Sequence, residues 1–128
     1  MKAIDTNILA RALVRDDLRQ AEIADALIAD GVFIPLTVML ETAWLLGSRY
    51  KVGRLALADI LSEIMDLPGV TVEQGDGLGW AIMQFRGGAD IADAIHVLGA
   101  NGADAFVTFD GEAFRKLVDP PVAIEVPE

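Results

Sequence analysis

Short apolar runs alternate along the chain with longer segments in which apolar residues recur every three or four positions. The short runs are continuously apolar and predict strands, at about 2–5, 32–35, 70–72, 106–109 and 122–126. The longer segments predict helices, at about 7–15, 17–31, 37–50, 54–66, 76–86, 90–99 and 112–117. Continuous apolar strands that alternate with helices are typical of a parallel sheet covered on both faces. The predicted fold class is therefore α/β.

Polar residues stand where several of these helices are expected to begin. Asp16 or Asp17 is the predicted cap of the second helix, Thr37 of the third, and Asp90 of the helix that ends near Gly99. Each offers a side-chain oxygen to the free N–H groups of a first helical turn. For Asp90 this structural role accounts for the residue fully.

Length and composition narrow the class of protein. At 128 residues, of which 53% are hydrophobic, the chain is expected to form one globular domain over residues 1–128. It has no cysteine, which excludes a disulfide framework, a thiolate zinc site and a cysteine nucleophile. The first residues show no signal-peptide pattern, and no apolar run approaches the roughly 20 residues that cross a bilayer. We therefore expect a cytoplasmic protein with no membrane span.

The formal net charge of -10 means that the overall field of the protein repels a polyanion. A nucleic-acid substrate would need a local basic patch to offset that field. Two clusters are candidates, namely Arg11, Arg15 and Arg19, and Arg49, Lys51 and Arg54. A solvated helix face also explains each of these side chains.

Four carboxylates interrupt or end strongly apolar segments, namely Asp5, Glu41, Asp93 and Asp110. Carboxylates are rarely buried without a partner, because an isolated charge loses its hydration. The only basic residue inside these segments is Lys2, which strand alternation places on the opposite face from Asp5. A bound cation is the natural partner, so the pattern predicts a metal-dependent active site.

The predicted elements favour convergence of the four carboxylates on one cleft. Asp5 and Asp110 follow strands, and ligands of an open parallel sheet collect at the carboxyl ends of its strands. Glu41 shares a helix face with Trp44, so its carboxylate is expected to point inward. Asp93 falls in the first turn of its helix, where N–H groups and the helix dipole favour negative charge. Oxygen ligands of this kind suit Mg²⁺ or Mn²⁺.

Such an ion can lower the pKa of a bound water and stabilise negative charge on a phosphoryl group. The chain has one histidine, His96, and two serines, Ser48 and Ser62, so a Ser-His-Asp triad has poor support. We expect His96 to be packed or at a rim, with no catalytic role. Trp44 and Trp80 stand among apolar residues and are expected in the core or in an interface.

Four motifs in order resemble a PIN domain. They are Asp5-Thr6-Asn7, then Pro35 followed by Glu41 in an apolar helix, then Asp90-Ile91-Ala92-Asp93-Ala94, and finally Thr108-Phe109-Asp110. Their order and the chain length resemble in particular the VapC toxins of bacterial toxin-antitoxin pairs. Each motif alone is weak, whereas all four in order within 128 residues are specific, and the resemblance covers essentially the whole chain.

The resemblance implies a parallel sheet of four to five strands flanked by helices. It also implies a Mg²⁺- or Mn²⁺-dependent endoribonuclease that cleaves RNA, forms a homodimer and is inhibited by a VapB-type antitoxin. In this resemblance the metal-binding and catalytic carboxylates are Asp5, Glu41, Asp93 and Asp110. Polar positions that support these carboxylates are matched by Thr6 or Asn7 and by Thr108. Asp90 is a candidate for the same supporting role in addition to its role as a helix cap.

Apolar surface is the second reason to expect a homodimer. Mean hydropathy is +0.42, and the segments 36–46 and 55–65 are long and apolar. A domain of this size has too little interior to hide every apolar side chain on both helices. Some of these side chains are therefore expected to form a subunit interface.

Three other functions compete with the nuclease. A phosphatase of the haloacid dehalogenase class needs a second aspartate two residues after the first, where this chain has Asn7. A receiver domain of two-component signalling needs paired acids after its first strand, and only its late lysine is matched, by Lys116. A non-catalytic module whose acidic cleft captures a basic peptide fits the charge without any metal. Asp5 and Asp110 also fit plain turn positions at strand ends.

Overall fold

The computed structural model describes residues 1–128, and the chain forms two compact units, residues 1–75 and 76–128. Both units combine helices with parallel strands, which confirms the α/β class. One nuclease domain over residues 1–128 stays a prediction. No helix is both long enough and apolar enough to cross a membrane.

The first unit alternates strands and helices in the order that the sequence predicts. Its elements are β1 (Lys2–Ala3), α1 (Thr6–Val14), α2 (Leu18–Ala29), β2 (Val32–Ile34), α3 (Leu36–Ser48), α4 (Arg54–Asp66) and β3 (Val70–Val72). Helix α1 packs against α2 and α3, and α3 packs against α4. The largest fully buried side chains of this unit include Leu9, Ile34, Met39, Leu61 and Ile64.

Strand β2 is the centre of a three-stranded parallel sheet with the order β1-β2-β3. Val32 pairs with Lys2 on one side and with Val70 on the other. Val32 and Ile34 are buried, whereas β1 is exposed and β3 is at most half-buried. The continuous apolar pattern therefore corresponds to real two-sided burial only in the central strand of this sheet.

The second unit is smaller and has a sheet of its own. Its elements are α5 (Gly75–Arg86), α6 (Ile91–Gly99), β4 (Ala105–Val107), α7 (Gly111–Phe114) and β5 (Ala123–Glu125). Strands β4 and β5 pair in parallel, with Phe106 opposite Ile124. The ring of Phe106 also contacts that of Phe114, with 4.9 Å between the ring centroids. This contact packs the short helix α7 against its own sheet.

All five predicted strands are present, but they form two sheets, one of three strands and one of two. The expected single sheet of four to five strands is not shown. Hydrophobic runs predict that a segment is a strand, but they do not specify its neighbours. Pairing depends on backbone hydrogen bonds between distant segments, which no local pattern encodes.

Two of the predicted helix caps are confirmed and one is wrong. Asp17 Oδ1 accepts a bond of 3.1 Å from the Gln20 N–H at the start of α2, and Asp90 Oδ1 accepts one of 3.0 Å from the Asp93 N–H at the start of α6. Thr37 does not cap α3, because this helix already begins at Leu36 after Pro35.

The start of α3 is capped from another part of the chain. Glu73 follows β3, and its Oε1 accepts a bond of 2.9 Å from the Leu36 N–H. Its own backbone N–H donates to the Ile34 carbonyl at 3.0 Å, which extends the pairing of β3 with β2 by one residue. One residue thus joins the sheet of the first unit to the helix that carries Glu41.

Candidate active site

Asp5 lies directly after the pairing between β1 and β2. The Ile4 N–H donates to the Phe33 carbonyl at 3.1 Å, so the ladder continues to the residue before Asp5. The Asp5 side chain is exposed and caps α1, because its Oδ1 accepts a bond of 3.0 Å from the Ile8 N–H. The Asp5 carboxylate therefore has a structural role as the cap of α1. Its second oxygen remains available to a ligand.

The two residues after Asp5 differ in their surroundings. Thr6 is buried, whereas the side chain of Asn7 is exposed in the first turn of α1. Of these two supporting candidates, Asn7 is the one that a ligand from solution can reach.

Glu41 lies on the exposed face of α3, and the expectation that its carboxylate points inward is wrong. The buried stripe of this helix is formed by Leu36, Met39, Thr42, Ala43 and Leu46. Glu41 instead shares the solvent face with Trp44, whose exposed fraction is 67%. Trp44 therefore lies outside the core, and of its two expected positions only the interface stays a prediction. Apolar residues occur all around α3, so their spacing alone does not identify its buried face.

Asp93 is half-buried in the first turn of α6, one turn after the cap residue Asp90. Its backbone N–H donates to Asp90 Oδ1. The two carboxylates are therefore held close together by the geometry of a single helical turn.

Asp110 follows β4 and is exposed at the start of α7. Its Oδ1 accepts a bond of 3.2 Å from the Ala113 N–H, and its own N–H donates to Thr108 Oγ1 at 3.0 Å. Thr108, predicted as a supporting residue, thus fixes the backbone turn on which Asp110 sits. This arrangement is compatible both with a plain turn at Asp110-Gly111 and with a functional role for Asp110.

Among the candidate carboxylates of the second unit, Asp90 and Asp110 both influence Asp93 through their charges. The pKa of Asp93 is raised, first by its burial and then by the neighbouring carboxylates of Asp90 and Asp110, whereas His96 acts in the opposite direction. His96 itself is exposed on α6, in agreement with a position at a rim. Negative charge is therefore concentrated around the first turn of α6.

The candidate basic cluster on the first two helices is largely engaged in ion pairs. Arg11 Nη1 lies 3.0 Å from Asp16 Oδ1, and Arg15 Nη2 lies 3.0 Å from Asp25 Oδ2. The hydrogen bond to Asp25 and the charge of that carboxylate raise the pKa of Arg15. Both pairs are exposed and hence weak, and they favour the solvated-face reading for Arg15 in particular.

The side chains present fit a hard divalent cation by type but not by arrangement. Carboxylate oxygens are the ligands that Mg²⁺ and Mn²⁺ prefer. Nowhere, however, does the structure bring three His, Cys, Asp or Glu side chains into a group that could hold a metal ion. Three of the four expected ligands, Asp5, Glu41 and Asp110, are exposed rather than buried. We therefore derive no reaction step through a metal from this arrangement.

Sequence reasoning did not identify the groove next to Asp5. This groove has a volume of about 440 Å³ and is lined by Asp5, Asn7, Ile8, Arg11, Gln20 and Ile23. The spacing of Asn7 and Arg11, one helical turn apart, is a signal that the sequence offers. The contribution of α2 to the groove depends on how two helices pack, for which the sequence gives no local signal.

Trp80 has a defined structural role in the second unit. Its Nε1 donates to the Val118 carbonyl at 2.7 Å, and the Gln84 side chain accepts from the Val118 N–H at 2.9 Å. Helix α5 is thereby attached to the segment that precedes β5. Trp80 is half-buried, which agrees with its expected packing role.

Comparison with known proteins gives one match. The family model described as the PIN domain matches residues 2–119, a range that includes all four expected carboxylates. No curated protein matches the sequence.

Proposed function

Because the chain belongs to the PIN domain family, we propose that it is a metal-dependent endoribonuclease of the VapC toxin type. PIN domains are generally nucleases that act on RNA, and they generally use divalent metal ions. The finer features of the proposal are Mg²⁺ or Mn²⁺ as cofactor, a VapB-type antitoxin as inhibitor, a homodimer and action in the cytoplasm.

The observation that carries the proposal is the concentration of carboxylates around the first turn of α6. Burial and the charges of Asp90 and Asp110 raise the pKa of Asp93, which is a preference for the protonated form relative to an ordinary aspartate. A bound cation would reverse this preference. Perturbed carboxylates of this kind are frequent at catalytic sites.

We assign the catalytic and metal-binding roles to Asp5, Glu41, Asp93 and Asp110. The supporting roles go to Thr6, Asn7, Thr108 and Asp90. Of these, Thr108 and Asp90 are supported by their hydrogen bonds, at 3.0 Å each, to the backbone N–H groups of Asp110 and Asp93.

The proposed substrate is single-stranded or loop RNA. Unpaired strands can splay their bases out for individual recognition by side chains, whereas the bases of a duplex stay stacked and paired. The exposure of Asp5, Glu41 and Asp110 supports access from solution. The exposed Trp44 and Leu55, at 67% and 63%, support a protein partner or second subunit on the first unit.

Incubation of the purified protein with structured RNA and with duplex DNA, each with Mn²⁺ or with a chelator, tests the proposal. We expect endonucleolytic cutting of RNA that requires the metal and is lost in Asp93→Asn. Asp104→Asn is the matched control, because this exposed carboxylate precedes β4 rather than following it. Metal-dependent cutting of duplex DNA alone would refute the RNA assignment. RNA or peptide binding without any cutting would favour the non-catalytic module.

A further inference from the structure

We propose that the groove beside Asp5 binds one nucleotide of the RNA strand, next to the phosphodiester that is cut. The inference rests on the proposed function, since it deepens the substrate recognition of the same site. The groove is lined by Asp5, Asn7, Ile8, Arg11, Gln20 and Ile23, all of which belong to the first unit.

The size and position of the groove suit a single nucleotide. Its volume of about 440 Å³ lies within the roughly 300–1,000 Å³ of small-molecule sites. Its lining side chains come from α1 and α2 and from Asp5, the residue that caps α1. A nucleotide in this groove would therefore lie beside one of the proposed catalytic carboxylates.

The polar side chains of the groove match the hydrogen-bonding edge of a base. Asn7 and Gln20 are both exposed, and neither side-chain amide is bonded to the protein, since Gln20 uses only its backbone N–H, towards Asp17. A side-chain amide offers a donor and an acceptor side by side. Unpaired bases of RNA are read through such pairs of bonds on their exposed edges.

Arg11 provides N–H donors that can bond a phosphate. Only its Nη1 is bonded, to Asp16 Oδ1 at 3.0 Å, so Nε and Nη2 are free for a ligand. The guanidinium carries five N–H donors in a fixed fork, and the pair with Asp16 uses one side of that fork. The unused N–H donors of Arg11 therefore lie next to a proposed catalytic residue, where they can bond a phosphate of the RNA backbone.

Two isoleucines complete the groove with apolar surface. Ile8 is half-buried, and Ile23 has an exposed fraction of 50% although it is a large aliphatic side chain on α2. Flat bases lose water-exposed area when they lie against such side chains. The combination of amides, one guanidinium and an apolar wall is the chemistry of a nucleotide site rather than of a site for a bare anion.

Nuclear magnetic resonance titration of the metal-free protein with AMP, CMP, GMP and UMP tests binding without any catalysis. At about 10 mM nucleotide, which is suited to millimolar affinity, we expect shifts of the side-chain signals of Gln20 and Arg11. Gln20→Ala should weaken the response to the preferred base. Inorganic phosphate should shift Arg11 alone. Shifts with phosphate that equal those with every nucleotide would overturn the inference, as would the absence of any shift.

Cleavage kinetics give the second readout. Gln20→Ala and Ile23→Ala should each raise KM for RNA by about tenfold and leave kcat within about twofold, because they remove binding that is equal in ground and transition states. Leu18→Ala is the matched control, since this apolar side chain is exposed on α2 and does not line the groove.

The two readouts separate this inference from the proposed function. If Gln20→Ala and Ile23→Ala cleave RNA with an unchanged KM, the groove is not a nucleotide site. The proposal that the protein is a nuclease is unaffected by that result. Nucleotide binding at Gln20 without any cleavage would refute the nuclease and keep a nucleotide site.

Discussion

The two units of the chain hold their acidic residues in different ways. In the first unit, Asp5 caps a helix after a strand, and Glu41 lies on the open face of another helix. In the second unit, Asp90, Asp93 and Asp110 are close enough for their charges to raise the pKa of Asp93. The candidate carboxylates of the first unit are therefore separate and accessible, whereas those of the second unit interact through their charges.

Removal of one charge at a time from the cluster should produce the largest effects. Asp93→Asn is expected to reduce RNA cleavage by more than about a hundredfold, because it removes a proposed ligand, whereas even outer partners of metal sites cost ten- to a hundredfold. Asp90→Asn should cost less activity than Asp93→Asn, since asparagine preserves the cap at the start of α6. Cleavage rates at saturating Mn²⁺ measure both. Equal losses of cleavage rate in the two variants would contradict the assignment of Asp93 as a ligand and Asp90 as a cap.

A pair of glycines on α5 tests how tightly the second unit is packed behind its cluster. A Cβ at Gly77 would collide with the side chain of Leu98, which is 1% exposed, whereas a Cβ at Gly79 would meet nothing within 4 Å. Gly77→Ala should lower the free energy of unfolding by about 1–3 kcal/mol through overpacking. Gly79→Ala should raise it by about 0.5–1 kcal/mol through helix propensity. Urea denaturation distinguishes them, and a stabilised Gly77→Ala would contradict the packing described.

The corresponding test in the first unit is the distant cap of α3. Glu73→Ala should lower the free energy of unfolding by about 1 kcal/mol, because the Leu36 N–H loses its acceptor. Glu73→Gln retains a carbonyl oxygen and should lose less. Thermal denaturation measures both variants, with Glu63→Ala on the exposed face of α4 as control. Equal melting temperatures of Glu73→Ala and Glu63→Ala would show that the cap does not contribute to stability.

The smallest effect concerns the metal-free stability of the second unit. The raised pKa of Asp93 means that its protonated form is favoured in the folded state, so wild-type stability falls as the pH rises through that pKa. Asp93→Asn avoids this loss and should melt about 1–2 °C higher at neutral pH, an effect kept small by solvent screening. The difference should vanish in acid, below the ordinary pKa of an aspartate. Addition of Mn²⁺ should stabilise the wild type and not the variant.

Local patterns predicted most of the elements of the fold. The bounds of α4 and β3 were predicted to the residue, because α4 has a regular apolar period and β3 follows a Pro68-Gly69 turn. The sheet partners of the strands and the buried face of α3 were not predictable, since pairing is non-local and α3 is apolar on all sides. The four expected carboxylates were identified from their unusual positions. The exposure of Asp5 and Asp110 was missed because their cap roles satisfy them without burial.

The same limit applies to the residues around the carboxylates. Thr37 was a reasonable cap from local sequence, but the acceptor that the Leu36 N–H uses lies 37 residues away. Gln20 and Ile23 reach the groove only because α2 packs against α1. Contacts between distant segments thus account for what the sequence left unpredicted.

The double role of Glu73 makes the start of α3 a reporter of strand register. Successive side chains of a strand point to opposite faces, so a slip of β3 by one residue would turn the Glu73 carboxylate away from the Leu36 N–H. It would also break the bond from the Glu73 N–H to the Ile34 carbonyl. Hydrogen–deuterium exchange at the Leu36 amide should therefore be slow only when β3 is paired in its native register. A single exchanging proton then reports whether the helix that carries Glu41 has its first turn closed.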